Sequence, residues 1–259
     1  MLINSKTLKG FTVHAMDGEL GVVEDLYFDD ETWAVRYVIV ETGGWLGGRS
    51  VLISPISVSE TDSAARGLHL VLTKHQVENS PNIDTHRPVS RQHEVEFMGY
   101  YGYPYYWGGP MMWGPSFAPA GLAIPSHESA LDIADRMARE SADSHLRSAK
   151  AVAGYGIHAT DGEIGHADGF LVDDHTWAVR YIEVATRNWW PGKKVLMSPA
   201  WVRDVNWLKY EVTVGLTREQ ISGSPAYSET SLLTREMEEQ LHAWYGREPY
   251  WKQPEPPAR

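Results

Sequence analysis

His158, Asp161, Glu163 and His166 put imidazoles and carboxylates into one short stretch, the donor types a divalent cation such as zinc takes from a hairpin. If that hairpin turns on Asp161-Gly162, His158 falls opposite Gly165 and His166 opposite Ile157, so the imidazoles point to opposite faces of the sheet. Only a three-residue loop with a bulge brings them across from one another. An earlier stretch, His14 to Val22, has the same pattern with Val22 in the place of His166, so the full donor set belongs to one half of the chain. Turn chemistry and hairpin solvation explain these residues without a metal, and no cofactor is called for. Arg36 and Arg180 occupy matching places on a strand beside Asp29-Asp30 and Asp173-Asp174. An ion pair is the structural account of each, and anchoring of a partner is the functional one.

Other chemistry lacks its motif. Gly43-Gly44-Trp45-Leu46-Gly47-Gly48 has neither the lysine nor the helix start of a phosphate loop, and its counterpart Arg187-Asn188-Trp189-Trp190-Pro191-Gly192 dispenses with most of the glycines. No nucleophile elbow supports a Ser, His and Asp set. The chain contains no cysteine, which excludes disulfides, thiolate-bound metals and thiol catalysis. The aromatic residues are the stronger hint. Trp45, Trp189 and Trp190 lie in loop-like segments, and Tyr100 to Trp107, with Tyr103, Tyr105, Tyr106 and Trp107, is rich in rings. Such rings pack on their own domain or form a contact surface.

These residues are set on a duplicated framework. In one ungapped register His14-Ala15-Met16-Asp17-Gly18-Glu19-Leu20-Gly21 falls on His158-Ala159-Thr160-Asp161-Gly162-Glu163-Ile164-Gly165. Asp29 to Tyr37 then meets Asp173 to Tyr181, Val51 to Pro55 meets Val195 to Pro199, and Tyr106-Trp107 meets Tyr250-Trp251. A unit this long carries its own core, which predicts two domains rather than a solenoid. Runs rich in Val, Ile, Tyr and Trp between turn residues predict short strands. Thr73 to Val77 and Thr217 to Ile221 read as single helical turns. Longer helices are predicted at about Ser90 to Tyr100 and Ser231 to Trp244, the second with Leu232, Leu233, Met237, Leu241 and Trp244 on one face. The predicted domains are a barrel over 1–84, a helix and aromatic tail over 85–107, a Gly/Pro-rich linker with a helix over 108–145, a second barrel over 146–228, and a carboxy-terminal helix and tail over 229–259. The linker helix is placed after Ser129, with Leu131, Ala134, Met137 and Ala138 on one face.

His-x-x-Asp-Gly-Glu-x-Gly, then Asp-Asp-x-Thr-Trp-x-Val-Arg-Tyr, then Val-Leu-x-Ser-Pro resembles the PRC-barrel family, named for the photosynthetic reaction centre H subunit; the fold also forms the carboxy-terminal domain of the ribosome maturation factor. The resemblance covers about Leu2 to Ile83 and Leu146 to Tyr227. It implies a mainly β protein with added helices, two small antiparallel barrels in tandem related by a pseudo-twofold, each followed by a helix. It implies a protein-binding adaptor and supplies no catalytic residues.

A net charge of −11 works against phosphate and anionic membrane surfaces, so nucleic acid and membrane insertion are not anticipated. Met1 to Gly10 looks like neither a signal nor a transit peptide, which points to the cytoplasm. The reading is a non-catalytic scaffold that binds a protein partner and self-associates, with a dimer favoured. The contact candidates are Trp45, Trp189, Trp190, Tyr103, Tyr105, Tyr106, Trp107, Tyr250, Trp251, Arg36 and Arg180. A small-ligand or metal-binding sensor is the competing class, and a hydrolase a weaker third.

Overall fold

In a computed structural model describing residues 1–81, 89–107, 111–122, 145–186 and 193–252, the apolar runs form strands and the capped segments form helices. The first half contains β1 (Leu2–Asn4), α1 (Ser5–Leu8), β2 (Thr12–Ala15), β3 (Gly18–Asp29), β4 (Val35–Glu41), β5 (Ser50–Ile53), β6 (Val58–Asp62), β7 (Gly67–Leu70), α2 (Lys74–Glu78) and α3 (Arg91–Tyr101). The second contains β8 (Leu146–Ser148), α4 (Ala149–Val152), β9 (Gly156–Ala159), β10 (Gly162–Asp173), β11 (Val179–Thr186), β12 (Lys194–Met197), β13 (Val202–Asn206), β14 (Glu211–Val214), α5 (Arg218–Gly223) and α6 (Arg235–Tyr245). The linker helix expected after Ser129 lies outside the described residues.

Each sheet has seven strands, in the order β5-β4-β3-β2-β7-β6 with β8 added to β3, and β12-β11-β10-β9-β14-β13 with β1 added to β10. The protein is thus mainly β with added helices, as the patterning implies, and the two sheets share one topology. Pairing is antiparallel except at β2 with β7 and at β9 with β14, which are parallel. Those strands are far apart in sequence, so no hairpin dictates their direction.

β1 and β8 take an unexpected course. Leu2 pairs with Asp173 and Asn4 with Leu171, while Leu146 pairs with Asp29 and Ser148 with Tyr27. Each initial strand therefore adds to the sheet of the other sequence repeat. The first compact unit runs Thr7–Ser148 and takes in Asp174–Trp177; the second combines Met1–Lys6, Ala149–Asp173 and the described residues from Ala178 on.

The first unit buries Phe11, Val13, Leu20, Phe28, Tyr37, Ile53 and Leu68, and the second buries Ile157, Phe170, Tyr181, Val184, Met197 and Val212. Each such side chain contributes roughly 1.5–3 kcal/mol. The central strand β4 is buried on both faces from Val35 to Val40, Arg36 included. Gly21 and Gly165 allow a close strand approach, since a Cβ at either would stand 2.0 Å from the carbonyl oxygen of Glu41 or Ala185. Trp33 and Trp177 share a left-handed φ, 55° and 57°, at the turn entering β4 and β11. Ser90 and Thr234 cap α3 and α6 by accepting from the His93 and Met237 amides, and left-handed Gly102 and Gly246 end them. α2 and α5 begin with matching capping boxes, Thr73 with Gln76 and Thr217 with Gln220.

Candidate functional site

In the first unit, the cap at Ser90 sets the phase of α3 so that Glu94 faces inward with no exposed surface. Its carboxylate accepts from the Tyr37 hydroxyl at 3.1 Å, from Arg91 Nη1 at 3.2 Å and from the Tyr106 hydroxyl. His145, just before β8, closes this network. Its Nδ1 lies 3.3 Å from Arg91 Nη2, its Nε2 3.1 Å from the Tyr106 oxygen and 3.4 Å from Glu94 Oε1. A guanidinium only donates, so Nδ1 accepts and the proton of a neutral ring sits on Nε2, facing Tyr106 and Glu94. Burial pushes the Glu94 carboxyl up to about 7, against the pull of Arg91 and both phenols. Burial and the Glu94 charge hold the Tyr37 and Tyr106 hydroxyls well above the usual phenol range.

Arg36, 1% exposed, is held between rings, 3.9 Å from the Tyr106 centroid and 4.7 Å from that of Trp113. Its Nη2 donates to Thr32 Oγ1 at 2.9 Å and lies 3.6 Å from Asp29 Oδ2. Burial alone would raise the Asp29 carboxyl, but Arg36 and the Thr32 amide outweigh it and hold it below the usual range. Trp113 is fully buried and donates from Nε1 to the Thr176 carbonyl at 2.8 Å.

The second unit builds the same arrangement from matching residues. Glu238 accepts from Tyr181 at 3.0 Å and Tyr250 at 3.1 Å, and pairs with Arg235 at 3.1 Å. Arg180 lies 4.2 Å from the Tyr250 centroid and 3.3 Å from Asp173 Oδ2. Burial raises the Glu238 carboxyl, as it does that of Glu94. His242 stands where the first copy has Met98; its Nε2 is 3.0 Å from the Tyr181 hydroxyl, and burial holds the imidazole below its usual range. A second counterpart also differs in kind. Met1 takes the place of His145, and a cavity of about 200 Å³ opens there, lined by Met1, Leu2, Leu233, Asp173, Arg235, Glu238 and Tyr250. Arg91 has an 11% exposed side chain, Arg235 one that is 51% exposed.

Arg36, Tyr106 and Trp107 thus converge, with the Trp107 ring 4.2 Å from Arg91, and Arg180, Tyr250 and Trp251 converge likewise, with Trp251 3.9 Å from Arg235. Tyr105 packs against Trp107 at 4.8 Å, and Tyr103 stacks on Tyr101 at 5.2 Å. Trp45 stands apart, donating to the Leu20 carbonyl with Lys74 4.4 Å from its ring centroid. Trp189 and Trp190 lie outside the described residues.

The hairpin of His158 departs from its expected register. Ala159 pairs with Gly162, so Thr160-Asp161 forms the loop, and a bulge lies between Glu163 and Gly165. His158 therefore faces Glu163, and His166 faces Gly156, which brings the imidazoles to one face rather than to opposite ones. The reason is Ile164, buried at 1%, which takes the bulged position. Asp161 turns to another task and accepts from the Arg218 amide at 2.8 Å; His158 lies 3.7 Å from Glu211. Among the described residues, the cluster of three whose ligand atoms lie within 4.8 Å of one another is instead Asp168, Glu183 and Glu229. Two ammonium groups already pair with its three carboxyls, with Lys6 2.6 Å from Asp168 and Lys194 2.7 Å from Glu183 and paired with Glu229.

Sequence reasoning singled out the outer members of the repeated network and missed Glu94, Glu238, Arg91, Arg235 and His145. The first four align in the repeat register, and that coincidence of charged residues on two matching helices was the available signal.

Among the described residues, no helix is long and apolar enough to cross a membrane. No curated protein matches the chain. The family model of the PRC-barrel domain matches residues 2–73, from β1 to the Thr73 cap of α2. Residues 2–73 are thus similar to the PRC-barrel domain, and the second sheet repeats the strand order of the first.

Proposed function

We propose that this protein is a non-catalytic scaffold that binds a protein partner, and itself as a dimer, in the cytoplasm. The observation that carries the reading is the contrast between the copies of one network. In the first unit Trp113 and His145 cover it from within the chain; in the second, Arg235 lines a cavity with half of its side chain exposed, and half-buried Trp251 packs on that guanidinium. Aromatic and arginine side chains placed this way are what protein interfaces use as anchors. Exposed Leu208, Tyr210, Leu232 and Trp244 in the second unit add apolar surface suited to self-association.

Light scattering on the purified chain tests the self-association, and pull-down from the native cell tests the partner. The expected result is a mass that is a multiple of the chain mass, with Trp251→Ala and Arg235→Ala reducing stoichiometric capture while leaving the circular dichroism unchanged. A strict monomer that captures nothing overturns the reading.

A further inference from the structure

The first unit shows what fills this network when the chain supplies the filling. His145 sits against Arg91, Tyr106, Glu94 and Asp29, as a neutral ring that accepts on one nitrogen and donates on the other. The second unit keeps all four of those partner types in register, as Arg235, Tyr250, Glu238 and Asp173, and replaces only the imidazole, by Met1. The partners also keep their mutual bonds: Tyr250 to Glu238 at 3.1 Å, Arg235 to Glu238 at 3.1 Å and Arg235 to Tyr250 at 3.4 Å. Glu238 is 3% exposed, and it lines the cavity of about 200 Å³ together with Leu2 and Leu233. A buried carboxylate and a phenol oxygen beside an arginine make a poor seat for an apolar group and a good one for a flat ring with one acceptor and one N–H.

We propose that the cavity of the second unit is an imidazole-binding site, which takes a histidine side chain from a partner chain in the manner of His145. Arg235 donates to one ring nitrogen, and Tyr250 and Glu238 accept from the other. Asp173 plays the part of Asp29, and Leu2 and Leu233 cover the ring. This rests on the adaptor reading for the source of the ring, though not for the chemistry of the site.

The test is a titration of the full chain with imidazole, followed by the methyl resonances of Leu2 and Leu233. Saturable shifts in the millimolar range are expected for so small a ligand. Tyr250→Phe and Glu238→Gln should each weaken binding at least tenfold, and 1-methylimidazole, which lacks the N–H, should also bind at least tenfold more weakly. No saturable shift in the unmodified protein, or equal binding of 1-methylimidazole, overturns the site; because the unmodified chain is the primary sample, a misfolded variant does not obscure the result. A peptide with an internal histidine that binds more tightly than free histidine supports a partner chain as the source. Tighter binding of free histidine keeps the imidazole chemistry and overturns the adaptor reading at this surface. In the first unit, His145→Gly should lower the melting temperature, and added imidazole should restore part of the loss; no rescue counts against the assigned geometry.

Discussion

Two copies of one network differ in how far they are sealed. Around Glu94 the helix, the aromatic tail, Trp113 and His145 leave Arg36 1% exposed, whereas around Glu238 the corresponding Arg180 keeps 19% of its side chain in solvent. The same bonds therefore act in different dielectric surroundings. A pair that water reaches is screened, and a sealed pair must satisfy itself. The sealed copy has the chemistry of a structural lock, and the open copy that of a surface a second molecule can complete.

Substitutions can break this comparison or sharpen it. The largest effect should be shared: Gly21→Ala and Gly165→Ala each force a Cβ onto a neighbouring strand's carbonyl, so both should cost more than about 4 kcal/mol, read as loss of amide protection in the affected sheet. A mild effect at either position would mean the copies are less alike than their backbones imply. Arg36→Ala should come next, at about 3–5 kcal/mol, because it leaves the buried Asp29 carboxylate without its guanidinium. Arg180→Ala should cost about 1 kcal/mol, its pair with Asp173 being partly solvated. Equal losses in thermal melts of the two variants would remove the distinction between sealed and open.

The pH dependence separates the copies further. The folded Glu94 carboxyl holds its proton up to about pH 7, whereas the ordinary value is 4.5. The folded state thus binds more protons than the unfolded one across that window, and stability falls as pH rises through it, then levels off above about 7. Glu94→Gln, which stays neutral, should flatten that slope in melts recorded between about pH 5 and 8. A slope unchanged by the substitution would show that the carboxyl is not as sealed as its surroundings indicate. The smallest single effect belongs to one phenol, Tyr250. Tyr106→Phe should cost about 1.5 kcal/mol and Tyr250→Phe about 0.5, since water can take the place of the second hydroxyl but not of the first. Chemical denaturation of the two variants measures the difference.

Much of this architecture was legible in the sequence. The duplication follows from aligned motifs, and α3 begins at the expected Ser90, whereas α6 begins after the Thr234 cap rather than at Ser231, which leaves Leu232 and Leu233 outside the helix. A charge on a strand led to an ion pair of Arg36 with Asp29 or Asp30, and Asp29 is the one it meets. The exchange of β1 and β8 was not legible, for a physical reason: when two repeats share a pattern, a Leu-led strand such as Leu2–Asn4 fits either long hairpin strand, and pattern alone does not choose. The hairpin of His158 misled because Asp161-Gly162 is a strong turn signal, whereas the bulge at Ile164 that resets the register depends on burial of a single side chain. His145 went unnoticed because it ends a segment read as a linker, and its partners come from three distant parts of the chain.

The exchanged strands put time into the fold. Synthesis releases β1 first, yet its partners Leu171 to Asp173 follow only after about ten to thirty seconds at ordinary ribosome speeds. The first unit waits as well, since β3 lacks the neighbour along Tyr27 to Asp29 until Leu146 to Ser148 have been made. Through that interval the growing chain carries an unpaired strand and an open place for one, so two neighbouring nascent chains on one message can complete each other before either completes itself.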